Sequence, residues 1–91
     1  MPLARKYRID KDKVTYRVID NEAVILNLDS GYYYSLNGVG TEIWKMMAVG
    51  KTTDEILDYF EAEYRLSKSR LKGDLLELIN DLEREGLIQA L

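Results

Sequence analysis

The sequence contains no cysteine and no histidine. The first absence excludes a disulfide framework and a thiolate nucleophile, and the second removes imidazole as a general base. Together they strip out the soft ligands of a structural or catalytic metal site. A chain without disulfides suits a reducing compartment, and the cytoplasm is the expected location. Long apolar runs are missing too. The opening Met-Pro-Leu-Ala-Arg-Lys is not a signal peptide, and no stretch approaches the roughly 20 apolar residues of a membrane span. A basic surplus is also lacking: the formal net charge is −3. Residues 1–36 carry six basic and five acidic side chains, and residues 37–91 carry seven basic and eleven acidic ones. The C-terminal part is therefore acidic, whereas a duplex-binding domain needs Lys and Arg to neutralise phosphates.

What is present is one small folding unit. Ninety-one residues, 46% of them hydrophobic, suffice for a single modest core, and 1–91 reads as one domain. Residues 1–13 open with the basic cluster Arg5, Lys6 and Arg8. They read as a mobile or loosely packed lead segment, with a leading strand over Leu3 to Ile9 as the alternative. Val14 to Ile19 and Glu22 to Leu28 alternate and are rich in β-branched residues, and Asp20-Asn21 between them suits a two-residue hairpin turn. A three-residue turn at Asp29-Ser30-Gly31 then leads into a further strand, Tyr32 to Leu36. Pairing through that turn puts Val24, Leu26 and Leu28 beside Tyr32, Tyr34 and Leu36 on the expected core face. Ile25 and Asn27 lie beside Tyr33 and Ser35 on the other.

At Asn37 the apolar period lengthens from two to about 3.6, the mark of a strand-to-helix junction. Asn37 is a suitable N-cap for a helix over Gly38 to Ala48, with Val39, Ile43, Met46 or Met47 and Trp44 inward and Gly50 as its stop. Thr52 or Thr53 caps a second helix with the inner stripe Ile56, Leu57, Phe60 and Tyr64, and Asp54 and Glu55 favour the positive end of its dipole. Ser67 or Ser69 caps a third helix that ends near Gly86. On it Leu71, Leu75, Leu78 and Leu82 share an arc, Ile79 flanks them, and Leu76 lies outside near Lys72. That apolar surface is wider than one packing stripe, so part of it is a candidate groove wall. Leu87 to Ala90 forms a closing strand or an extended tail. The expected fold is α+β and winged-helix-like: a small antiparallel three-stranded sheet followed by three helices.

No catalytic constellation stands out. Asp54/Asp58, Glu61/Glu63 and Asp81/Glu85 sit on expected solvated faces. Gly38-Val39-Gly40 lacks the third glycine and the Lys-Ser/Thr pair of a phosphate loop. Ser30 and Ser35 have no histidine to activate them. No enzyme activity, cofactor or metal is expected. Tyr32 and Tyr34 read as core aromatics, and Tyr33 as the contact residue on the opposite face.

From Val24 to Ile88 the ordered set of residues resembles the PqqD family. It is carried by Gly31-Tyr32-Tyr33-Tyr34, Leu36-Asn37, Ile43-Trp44, Gly50, Thr53 with Glu55-Ile56, Tyr64, Asp74-Leu75, Leu78, Leu82 and Gly86-Leu87-Ile88. Asp74-Leu75 stands where the family usually has Asp-Val, and residues 1–20 match weakly. The resemblance implies a non-catalytic module that binds the leader of a ribosomally made precursor peptide and presents it to a modifying enzyme, often a radical SAM enzyme. In the family the peptide adds as an antiparallel strand beside the last helix. Carried over, the implied peptide-binding residues are Tyr32, Tyr33, Tyr34, Ser35 and Leu36 on the strand. On the helix they are Leu71, Lys72, Leu75, Leu76 and Ile79. A proline at Tyr34 tests this mode if the Tyr34 N–H faces the free edge. Two alternatives use the same elements. One is a protein-assembly domain that pairs with a second copy through the same edge. The other is a winged-helix nucleic-acid binder, disfavoured because the third helix carries more acid than base. Neither nucleic acid nor membrane is an expected partner.

Overall fold

A computed structural model describes residues 5–65 and 67–91. In chain order the elements are β1 (Tyr7–Arg8), β2 (Val14–Ile19), β3 (Glu22–Asn27), β4 (Tyr33–Leu36), α1 (Gly38–Ala48), α2 (Thr53–Tyr64), α3 (Lys68–Arg84) and β5 (Gln89–Ala90). The expected α+β arrangement of a three-stranded antiparallel sheet followed by three helices is the one observed, with strand order β2-β3-β4. A second, two-stranded sheet joins the ends of the described chain, with Tyr7 opposite Ala90 and Arg8 opposite Gln89. Leu3 lies outside the described residues. From Tyr7 onward the lead segment is a short strand rather than a loose arm, because Tyr7 is buried. The closing strand is likewise the reading observed for the C-terminal segment.

The β2–β3 hairpin turns at Asp20 and Asn21, both at positive φ (50° and 63°), as a two-residue hairpin with right-twisted strands requires. The β3–β4 turn corrects the expected register. Asn27 pairs with Tyr32, and the ladder runs Leu26↔Tyr33, Ile25↔Tyr34, Val24↔Ser35 and Ala23↔Leu36. The connection thus spans Leu28 to Gly31, one residue longer than expected. Its cause is local: the Asn27 side-chain oxygen accepts the amides of Asp29 (2.9 Å) and Ser30 (3.1 Å), so the chain starts to turn at Asn27. A one-residue change of register reverses which side chains face inward. Ala23 and Ile25 are therefore buried, Tyr34 and Leu36 pack beside them, and Leu28 and Tyr32 are exposed.

The helix boundaries follow their caps. The Asn37 side chain accepts the Gly40 amide at 2.9 Å. Thr52 and Glu55 form a reciprocal capping box, which selects Thr52 over Thr53 as the cap. Ser67 is the N-cap position of α3, without a side-chain hydrogen bond. Gly86, at φ +73°, turns the chain out of α3 so that Leu87 and Ile88 enter the core.

Trp44 is the centre of that core, fully buried, with Tyr16 edge-on at 5.3 Å. Met47, Ile56, Leu57 and Phe60 join it from α1 and α2, and Leu75, Ile79 and Leu82 from α3. Each aliphatic side chain so buried contributes about 1.5–3 kcal/mol. Two residues expected on inner stripes are not inside: Val39 and Tyr64 are both exposed. Val39 sits in the first turn of α1, beside the open edge of the sheet. Tyr64 stacks on Phe60 and donates its hydroxyl hydrogen bond to Glu42 at 3.2 Å, which joins the end of α2 to α1.

Candidate functional site

β4 is a terminal strand of the three-stranded sheet, and among the described residues nothing pairs with its outer side. The direction of its backbone groups follows from the ladder. The Asn27 amide donates to the Tyr32 carbonyl at 3.0 Å, so bonded pairs recur two residues on, at Ile25↔Tyr34 and Ala23↔Leu36. The last of these bonded positions is modified. The Thr41 hydroxyl accepts the Ala23 amide at 2.8 Å and donates to the Leu36 carbonyl at 3.1 Å, bridging the two strands. Tyr34 and Leu36 therefore direct their backbone toward β3. The N–H and C=O groups of Tyr33 and Ser35 point to the open side.

Next to this edge lies a groove of about 480 Å³. Ser35 and Leu36 form one wall, and Asn37, Val39, Gly40 and Ile43 continue it along α1. Gly40 allows the close approach here, since a Cβ would meet Leu36 at 3.3 Å. Ile56, Leu57 and Phe60 of α2 line the groove from below, and Leu71, Asp74, Leu75 and Leu78 form the α3 wall. The α3 wall recurs at intervals of three and four residues, one face of a helix. At one end the two walls are tied together. Tyr34 donates its hydroxyl hydrogen bond to the Glu85 carboxylate, and the Asn27 amide group donates to the Glu85 carbonyl at 3.0 Å. The carboxylate favours the neutral phenol, so the Tyr34 pKa is raised, with burial adding to the effect.

Four of the expected residues, Ser35, Leu36, Leu71 and Leu75, meet at this groove. Tyr34 sits at its tied end. Ile79 is turned into the core, buried to 1% exposure. Leu76 is half-buried and Lys72 is exposed, both off the groove lining. Tyr32 and Tyr33 are exposed, and Tyr33 lies on the sheet's outer face in a depression with Thr15, Arg17, Ile19, Val24 and Leu26. The Tyr34 N–H faces β3, so the proline test belongs at Tyr33 or Ser35. The implied peptide-binding residues did not include Asn37, Val39, Gly40, Ile43, Asp74, Leu78 or the three α2 residues, although Leu78 lay on the arc expected to supply a groove wall. Leu78 and Asp74 carried a signal, being one turn from Leu75 and Leu71 on the same face. The α2 residues read only as core, because their role depends on tertiary packing. Among the described residues no group of three acidic side chains could hold a metal ion.

The model of the family described as coenzyme PQQ synthesis protein D (PqqD) matches residues 22–88. The chain belongs to the PqqD family. A solved structure of TbiB1 in complex with the TbiA(beta) leader peptide superimposes with a TM-score of 0.85 at 34% identity, covering 90% of this chain and 94% of that one. A lasso peptide synthetase B1 complexed with its leader peptide has a TM-score of 0.84, over 92% of this chain and 98% of that one. At 20% identity this second likeness shows the fold alone. No curated protein matches the chain.

Proposed function

We propose that this PqqD-family domain binds the leader of a ribosomally made precursor peptide as an added antiparallel strand on β4 and holds it for a modifying enzyme. The observation that carries this reading is the open β4 edge beside a preformed apolar groove, in a fold shared with a leader-bound relative. Edge addition supplies backbone hydrogen bonds at little sequence cost, and side-chain pockets supply selectivity. A peptide strand would bond to Tyr33 and Ser35. Its alternate side chains, opposite Tyr34 and Leu36, would enter the groove.

The magnitudes suffice. Each backbone bond is worth a net 0.5–1.5 kcal/mol or about that. Each buried apolar anchor adds about 1.5–3 kcal/mol. Micromolar binding corresponds to a net of about −8 kcal/mol, so several anchors and the ladder together must also offset the cost of association, roughly 4 kcal/mol or more. The domain contributes binding and orientation, and the chemistry belongs to the partner, for which a radical SAM enzyme is the proposed class. The proposed setting is the cytoplasm, where precursor peptides are made.

The test is an NMR titration of labelled protein with the leader of the precursor made alongside this chain. Shifts concentrated on Tyr33–Leu36, Val39 and Leu71–Leu78 are expected, together with slowed amide exchange at Tyr33 and Ser35. A folded sample that shows no shifts refutes the reading. A concentration-dependent dimer with protected Tyr33 and Ser35 amides would assign the edge to self-pairing instead.

A further inference from the structure

The groove is apolar with one charged exception. Among the described residues that line it, only Ser35, Asn37 and Asp74 are polar. The Asn37 side chain is engaged in the α1 cap. Asp74 lies between Leu71, Leu75 and Leu78 on the groove-facing stripe of α3, and among the described residues it makes no hydrogen bond or ion pair. Among the described residues no lysine or arginine lines the groove. Glu42 and Glu85, the acids closest in role, are already hydrogen-bonded by Tyr64 and Tyr34. Asp74 is thus a carboxylate without a partner in a wall that a ligand would cover.

Covering a carboxylate removes water from it, and the cost is recovered only when the ligand brings an opposite charge or donors. The same group therefore acts twice, drawing in a ligand that carries a cation and penalising one that does not. Resting on the leader-binding reading, we propose that Asp74 is the specificity-determining residue of the groove, selecting leaders in which a lysine or arginine flanks the apolar anchor seated against Leu71, Leu75 and Leu78. Asp74 is exposed in the free protein, so its replacement leaves the core intact.

The experiment is fluorescence anisotropy with the dye-labelled leader of the chain's own precursor, against wild type, Asp74→Asn and Ser35→Pro. In low salt, Asp74→Asn is expected to bind about threefold to fivefold more weakly, the upper range for a partly solvated ion pair. The gap should narrow at about 0.3 M salt, where exposed charges are screened. A leader with the flanking basic residue changed to glutamate should lose affinity for wild type and regain it with Asp74→Lys. Equal affinity and equal salt dependence for wild type and Asp74→Asn overturn the inference, as does a leader with no basic residue beside its apolar ones. If in that case Ser35→Pro still abolishes binding, leader recognition stands and only the role of Asp74 falls. If wild type does not bind at all, both fall.

Discussion

The Tyr34 hydroxyl on β4 donates a hydrogen bond to the carboxylate of Glu85, the C-cap residue of α3. With the Asn27–Glu85 bond it pins the C-terminal end of the third helix to the sheet. The clasp is pH-dependent in a defined direction. The Tyr34 pKa is raised above the ordinary tyrosine value of 10.0. A group whose folded pKa is raised contributes stability fully present below the unfolded pKa, and that stability is lost as pH rises through the folded value. Urea unfolding should therefore show Tyr34→Phe less stable than wild type at pH about 8, with the gap closing above about pH 10. A gap that stays constant to alkaline pH would show that the hydroxyl contributes nothing through ionisation.

Thr41 is the second fastener. Its hydroxyl replaces a direct ladder bond between Ala23 and Leu36 and is fully buried. Thr41→Val keeps the volume but strands the Ala23 amide and the Leu36 carbonyl. Leaving such groups unpaired costs about 1–3 kcal/mol each. A loss of that order in denaturant unfolding is expected. Because β4 leads straight into α1 through Asn37, the loss should be accompanied by faster amide exchange at Leu36 and Gly40. Wild-type stability would mean that the strands close without the bridge.

Backbone parity along β4 yields a paired prediction. Ser35→Pro removes an N–H on the open side, whereas Tyr34→Pro removes one that bonds to β3. Proline is tolerated at the solvent side of an edge strand and not within a ladder. Ser35→Pro should retain its unfolding transition and lose leader binding, while Tyr34→Pro should be markedly destabilised. Equal damage from both substitutions would sink the assigned parity.

Much of this was legible in the sequence, because the signals were local. The Asp20-Asn21 turn, the Asn37 cap and the stop of α1 all depend on residues within a few positions of one another. The main departure was also local, at Asn27. An asparagine inside an alternating run reads as a strand residue, yet its side chain begins the turn early. The resulting register puts Ile25 inside and Leu28 outside. The groove was half legible. Leu71 and Leu75 follow from helical spacing, but Ile56, Leu57 and Phe60 reach it only because α2 packs beneath α1 and α3. The β1–β5 pairing was least legible, as two-residue strands at opposite ends of a chain carry no periodicity.

Leu71 and Ile79 occupy the same helix two turns apart, and they separate binding from stability. Ile79 is buried against the core, whereas Leu71 is half-buried and lines the groove. Ile79→Ala removes fully packed methyl groups and leaves a cavity, a loss of about 2–5 kcal/mol. Ile79 is not itself a lining residue of the groove, so the folded fraction should bind leader with unchanged affinity. Leu71→Ala has room to relax toward solvent and should cost much less stability. An anchor it no longer contacts would lose part of the roughly 1.5–3 kcal/mol of apolar burial, which is about tenfold in Kd or more. Urea unfolding and leader titration on both variants give the comparison. Equal leader affinity in Leu71→Ala and wild type would move the anchor away from Leu71. Weakened binding by folded Ile79→Ala would mean that the core beneath α3 sets the groove's shape.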